Sequence, residues 1–250
     1  MIVLKSPSEL EKMRCAGRIV VAVLEELAQM ARPGITTRYL DARAAELTAK
    51  MGGIPSFKGY NGFPANLCVS VNEEVVHGIP GRRRLMEGDI LSLDFGAIYD
   101  GYHADAAVTV PVGKISAEAE ELIRVTREAL ARGIAAARQG NRVSAISRAI
   151  QTYVEAAGYS VVREFVGHGI GQRMHEAPQI PNFVTGFADF NPRLRAGMTL
   201  AIEPMVNAGG QYVETKADGW TVVTRDGKLS AHFEHTVVVT GGEPEIITRA

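Results

Sequence analysis

Cysteine is scarce in this chain: only Cys15 and Cys68 occur among 250 residues, which excludes a disulfide framework and suits a reducing compartment. No run reaches the roughly 18 apolar residues that a membrane span needs. The N-terminus lacks an uninterrupted apolar stretch followed by a small-residue cleavage site. A soluble cytoplasmic protein with no membrane partner is expected. Charge of one sign is missing too. A formal net charge of −1 gives no broad basic field, so no specific nucleic-acid partner is expected. The local exception is Arg82-Arg83-Arg84. A solvated loop is its ordinary reading, and a transient ribosome contact is the functional alternative.

What is present is enough apolar material for a sizeable core, 46% of residues, in a length that fits one large domain or two small ones. The most informative stretch is Ile90 to Val110, where two strand-forming runs flank Asp100-Gly101. Asp-Gly between such runs marks a two-residue hairpin turn. With those two in the loop, Tyr99 faces Tyr102, Ile98 faces His103 and Asp94 faces Ala107. Side chains alternate with period 2, so Asp105 shares a face with Asp94, the two lying diagonally across the ladder about 7–8 Å apart or less. That spacing suits two acids gripping metal ions. A lone charge among Leu91, Leu93, Phe95 and Ile98 is otherwise expensive.

Helix signals come in two matching sets. Ser6-Pro7-Ser8-Glu9 reads as a capping box, and Leu10, Met13, Val20, Leu24, Leu27 and Ala31 follow at helical spacing until Pro33-Gly34. A second helix runs from about Thr37 to Met51 and closes on Gly52-Gly53. In the second half Ser116 opens a helix through Leu122, Val125, Ala129, Leu130 and Ile134, broken at Gln139-Gly140. Another carries Val143, Ile146, Ile150 and Tyr153 to Gly158. The strands repeat as well. Leu85 to Asp94 aligns without gaps on Leu194 to Glu203, and Ala104 to Val110 aligns on Phe233 to Val239, placing Asp94 on Glu203 and Asp105 on Glu234. A repeat of about a hundred residues is too long for a solenoid unit and reads as a doubled half-domain. Packed about a pseudo-two-fold axis with their sheets joined, the halves bring four carboxylates together. Such a cluster must hold protons or be neutralised by two divalent cations. The alternative is a purely architectural repeat with incidental acids.

Gly167 to His175 adds His168 and His175 in a Gly-rich stretch, and His77 stands in His77-Gly78-Ile79-Pro80. Imidazole suits transition metals better than magnesium or calcium.

Together the runs Val71 to Pro80, Asp94 to Asp105, Gly167 to Pro178, Ile202-Glu203-Pro204-Met205 and Phe233-Glu234-His235-Thr236 resemble those of type I methionine aminopeptidases, in order and over nearly the whole chain. The resemblance implies an α/β (α+β) pita-bread fold. It would be one catalytic domain of residues 1–250 whose halves, approximately 1–112 and 113–250, put a curved antiparallel sheet under helices with a dinuclear metal site at the centre. The lack of a long N-terminal extension is similar to the short bacterial form. By resemblance, Asp94, Asp105, His168, Glu203 and Glu234 are ligands of two divalent ions, with cobalt, manganese, iron and zinc all compatible. Asp105 and Glu234 would bridge the ions, Asp94 would bind one, and His168 and Glu203 the other. A water between the ions is then the nucleophile. Glu203 is similar to the family's proton-shuttling carboxylate, and His77 and His175 match the histidines that contact the scissile peptide. Phe57, Tyr60, Phe63, Cys68, Met174 and Trp220 match the pocket for one unbranched thioether side chain, although each alone reads as an ordinary core residue. A monovalent cation on backbone carbonyls near Asn72, Glu74 and Ser230 is a further implication.

The implied activity is metal-dependent removal of the initiator methionine from nascent polypeptides with a small, uncharged second residue, by a monomeric cytoplasmic enzyme. This chain's own Met1, before Ile2, is then expected to stay. Three departures stand out. Ala104 replaces a common Gly and is expected to alter how closely the backbone approaches the metals. Phe57 and Phe63 stand where Cys and Tyr are frequent. His232 stands where Gln is usual, and on a strand it points to the side of Glu234, as a supporting partner of the site or an added acid/base group. Two rivals remain. A proline-directed peptidase of the same fold usually has an additional N-terminal domain, for which no room is seen before the first motif helix. A pita-bread binding module without catalysis is at odds with the complete ligand set.

Overall fold

The computed structural model describes residues 2–184 and 191–249; Met1, expected to be retained, lies outside them. Helix α1 (Pro7–Met30) starts on the capping box: the Glu9 N–H donates to Ser6 Oγ, and the Ser6 N–H donates to the Glu9 carboxylate at 2.7 Å. Its apolar stripe buries Met13, Val20, Leu24 and Leu27. The helix ends at Met30, short of Pro33-Gly34, because Ala31 is already extended and Arg32 precedes a proline that disfavours helical backbone. Helix α2 (Thr37–Lys50) is capped by Thr36. In the second half, α3 (Ala117–Ala136) is capped by Ser116, and α4 (Val143–Ala156) buries Val143, Ile146, Ile150 and Val154. The helix pair thus recurs, a long helix followed by a 14-residue one.

The first half contributes β1 (Ile54–Pro55), β2 (Cys68–Val71), β3 (Glu74–Val76), β4 (Ile90–Tyr99) and β5 (Tyr102–Pro111). The second contributes β6 (Ser160–Val161), β7 (Gly167–Gly169), β8 (Glu176–Ile180), β9 (Thr199–Ile202), β10 (Met205–Asn207), β11 (Val213–Thr215), β12 (Val222–Thr224), β13 (Ser230–His232), β14 (Glu234–Val238) and β15 (Glu245–Ile246). The main antiparallel sheet runs β1-β4-β5-β14-β9-β7-β8, with β2 also on β4 and β15 on β14. Two small sheets, β13-β10-β6 and β11-β12-β3, lie beside it.

The hairpin has the register read from the Asp-Gly turn: Tyr99 opposite Tyr102, Ile98 opposite His103, Asp94 opposite Ala107. Asp100 and Gly101 have φ of 46° and 79°, the two positive values of a type I′ turn. Glu234 pairs with Ala107 and His235 with Ala106, so the β5–β14 seam joins the two halves within the main sheet, and β3–β12 joins them in one of the small sheets.

Helices cover one face of the sheet. One hydrophobic cluster gathers α1 and α2 with Leu91, Leu93, Phe95 and Leu67; another gathers α3 and α4 with Leu200, Ile202, Val206 and Val237. Alternation sends Ala104 and Ala106 into the first cluster and Asp105 to the opposite face. Ala104 is therefore seated on the helix side of the sheet. Its methyl group packs in the helix-side core, fully buried, and does not stand between the backbone and the acids.

Candidate metal centre

The face of the sheet turned away from the helices collects the acids. Asp94 lies mid-strand in β4 opposite Cys68 of β2, and Asp105 lies two residues along the ladder in β5. Glu203 directly follows β9, and Glu234 opens β14. One donor atom each from Asp105, His168 and Glu234 falls within 4.8 Å of the others, and Glu203, His232 and Glu234 form a second such group. Acids of both sequence repeats therefore meet in one cluster. Asp94 shares the face of Asp105 on the β4–β5 ladder and lines the same cavity.

Neighbouring strands hold these side chains in place. The Thr236 hydroxyl accepts from the Asp105 N–H at 2.9 Å and donates to the Asp105 carbonyl at 2.8 Å, clamping β5 to β14 beside Asp105 and Glu234. Gly167 and Gly169 flank His168 because a Cβ at either would collide with backbone, the Ala201 carbonyl oxygen in one case and that of Ala177 in the other. His168 Nδ1 lies 2.8 Å from the Gly169 carbonyl, which can only accept, so the proton sits on Nδ1 and Nε2 is left as a lone-pair donor. That Nε2 is 3.5 Å from Glu203 Oε1.

Burial dominates the electrostatics. Asp105 and Glu234 are 3% and 2% exposed, whereas Glu203 keeps 15% of its side chain open. Burial first, and the neighbouring carboxylates second, push Asp105, Glu203 and Glu234 well above the usual carboxylate range; burial raises Asp94 to about 7. Burial also lowers His168 to about 3 and His77 to about 4, with His175 adding repulsion in both cases. Neutral imidazoles next to proton-hungry acids form a set that a divalent cation satisfies. Asp94 Oδ1, Asp105 Oδ1 and Glu234 Oε1 are buried with no hydrogen-bond partner among the described residues. Unpaired buried carboxylate oxygens facing a neutral imidazole nitrogen are hard-to-borderline donors awaiting a cation, so the residues present fit a divalent metal.

A cavity of about 210 Å³ opens onto this centre. All thirteen residues singled out for ligation, catalysis or substrate contact line it: Asp94, Asp105, His168, Glu203, Glu234, His77, His175, Phe57, Tyr60, Phe63, Cys68, Met174 and Trp220. Phe57, Phe63, Cys68 and Met174 make a buried apolar cluster, with Tyr60 and Trp220 packed against it. The Phe63 and Trp220 rings meet edge to face with centroids 5.2 Å apart. Tyr60 Oη lies 2.6 Å from His175 Nδ1, and the His175 ring centroid lies 4.1 Å from that of His168, the planes tilted by 55°. His77 has φ of 59°, a left-handed conformation that costs a non-glycine residue about 1–3 kcal/mol. Its ring packs on Phe165 and Trp220.

Val76, Phe165 and Met205 also line the cavity and were not anticipated. Val76 and Met205 adjoin the His77 and Glu203-Pro204 motifs, a proximity signal; Phe165 sits in irregular chain with no periodicity to announce it. Of the arginine run, Arg83 pairs with Glu74 at 3.4 Å and Arg84 donates to the Gly34 carbonyl, so only Arg82 lacks a described partner. The Ser230 N–H donates to the Asn72 carbonyl at 2.9 Å, which brings those two segments together. No helix among the described residues is long and apolar enough to cross a membrane.

Comparison with known proteins places this geometry. The model of metallopeptidase family M24 matches residues 11–241. Methionine aminopeptidase 1 of Bacillus subtilis is 57% identical over 249 residues, covering all of both chains. The crystal structure of methionine aminopeptidase from Thermotoga maritima superposes with a TM-score of 0.97 at 48% identity, again over the full length of both. The prolidase of Pyrococcus furiosus matches in fold alone, with a TM-score of 0.81 at 21% identity, and this chain covers 66% of it.

Proposed function

The chain belongs to metallopeptidase family M24, and from that premise we propose that it is a methionine aminopeptidase, removing the initiator methionine from nascent chains whose second residue is small and uncharged. The observation that carries the proposal is the meeting of Asp105 and Glu234, from different repeats, with His168 at the floor of an apolar cavity. Asp94, Asp105, His168, Glu203 and Glu234 would hold two divalent ions. When bound, such ions lower the pKa of the attacking water and polarise the scissile carbonyl. Manganese, iron, cobalt and zinc all suit one imidazole among carboxylates.

The remaining steps belong to the chain's own groups. Glu203, the acid of the second repeat with open surface, takes the proton of the attacking water and delivers it to the leaving amine. Tyr60 Oη contacts His175 Nδ1, and in the tautomer where the phenol donates, the histidine proton lies on Nε2 as a neutral donor for the developing oxyanion. His77, held in its strained conformation, supplies a second imidazole to the scissile peptide. The Phe57, Tyr60, Phe63, Cys68, Met174 and Trp220 lining takes the unbranched thioether, whose polarizable sulfur favours aromatic edges. Carbonyls near Asn72, Glu74 and Ser230 would take a monovalent cation. The proposal is completed by one catalytic domain of residues 1–250 acting as a cytoplasmic monomer, with a transient ribosome contact at the exposed Arg82–Arg84 stretch.

The test is an add-back assay. Metal-free protein is given Met-Ala-Ser and Ala-Pro peptides, and each divalent ion is restored in turn. Methionine release that appears only with metal supports the proposal. Preferential cleavage of Ala-Pro peptides would point to a proline-directed peptidase, and no cleavage with any ion to a binding module.

A further inference from the structure

His232 is the side chain of the centre that the five ligands leave unused. It is 1% exposed, lines the cavity, and neither Nδ1 nor Nε2 has a hydrogen-bond partner among the described residues. A buried imidazole with both nitrogens idle is costly, about 1–3 kcal/mol per unsatisfied group, and calls for a partner. Its backbone is nevertheless firmly held. The His232 N–H donates to Thr109 Oγ1 at 2.9 Å, the Thr109 hydroxyl donates back to the His232 carbonyl at 2.8 Å, and Ser92 Oγ lies 2.8 Å from that hydroxyl. Two strands thus fix the position of a ring that bonds to nothing.

The distances indicate what it awaits. His232 Nε2 lies 3.9 Å from Glu203 Oε2, too far for a hydrogen bond that merely orients the carboxylate. The other oxygen, Oε1, faces His168 Nε2 at 3.5 Å, so Glu203 stands between two imidazoles. One atom each of Glu203, His232 and Glu234 lies within 4.8 Å of the others. Nitrogen and oxygen donors bind such ions at about 2.0–2.2 Å, so a pair on opposite sides of one ion is about 4 Å apart.

We propose that His232 is a sixth protein ligand of the centre, binding through Nε2 the ion shared by Glu203 and Glu234. The inference rests on the metal-centre reading above and gives this chain two imidazole donors in a set that otherwise has one. A second imidazole moves the preference toward zinc and cobalt and away from manganese.

Wild-type protein and His232→Gln, which keeps a polar side chain but no imidazole, are stripped of metal and reloaded with zinc. X-ray absorption then counts imidazoles, normalised to the measured zinc per chain, and chelator competition gives affinity. The expected result is two imidazoles per chain in the wild type and one in the variant, with zinc affinity down tenfold or more and manganese affinity changed less. One imidazole per chain in metal-loaded wild type overturns the inference and leaves the centre standing. Failure of the wild type to take up stoichiometric metal overturns both. The wild-type count decides even where the variant does not fold.

Discussion

Glu203, unlike the more deeply buried Asp105 and Glu234, keeps an opening to the cavity while its carboxyl is still held well above the usual range by burial. A group so placed can exchange protons with substrate. Glu203→Gln is therefore expected to lower kcat for Met-Ala-Ser by about 10²–10⁴-fold with little change in KM; a rise in KM at unchanged kcat would assign it to binding alone. The acids also set a pH signature for the metal-free protein. From about pH 7 upward the six histidines, all pushed down by burial in the folded protein, are largely neutral in both states. The folded protein then still holds protons on carboxyls whose pKa values are raised, Asp94 at about 7 and the others well above the carboxylate range. The unfolded chain has released those protons, so it binds fewer and stability falls as pH rises. Urea midpoints of metal-free protein should drop between pH 7 and pH 9, and bound metal should flatten the dependence. A midpoint that rises over that interval contradicts the burial of the acids.

At the scale of elements, the glycines on either side of His168 matter as much as the ligand. A Cβ at Gly169 would strike the Ala177 carbonyl where β7 meets β8. Gly169→Ala is expected to cost about 1–3 kcal/mol and to weaken metal binding by displacing the imidazole; Tm and zinc affinity measured together would show it. An unchanged zinc affinity would mean that β7 tolerates the shift. The elements also show where reading the chain works. The hairpin register follows from Asp100-Gly101 and alternation, and the helix starts follow from Ser6 and Ser116, because turn and capping chemistry are local. The two small sheets are not legible: their strands are two or three residues long, too short for any period. The acid cluster is legible only because the chain repeats itself. Phe165 and the strain at His77 arise from tertiary packing, which leaves no mark on spacing.

For the molecule as a whole, the two repeats are tied by the β3–β12 pairing, by ion pairs such as Lys5 with Glu176 at 2.7 Å and Arg14 with Glu245 at 2.7 Å, and by the β5–β14 seam with its Thr236 clamp on Asp105. The acid cluster lies on this seam, so divalent metal would link the halves at their junction and add to stability by mass action, about 4 kcal/mol at a free concentration a thousand times its Kd. The doubled architecture and the chemistry are then one device, since neither repeat alone supplies enough donors. Anomalous scattering from crystals of the metal-loaded protein examines this directly. The strongest peaks are expected within bonding distance of both Asp105 and Glu234, with His168 on one side and Asp94 on the other. Peaks confined to the acids of a single repeat, or lying outside the cavity, would contradict it.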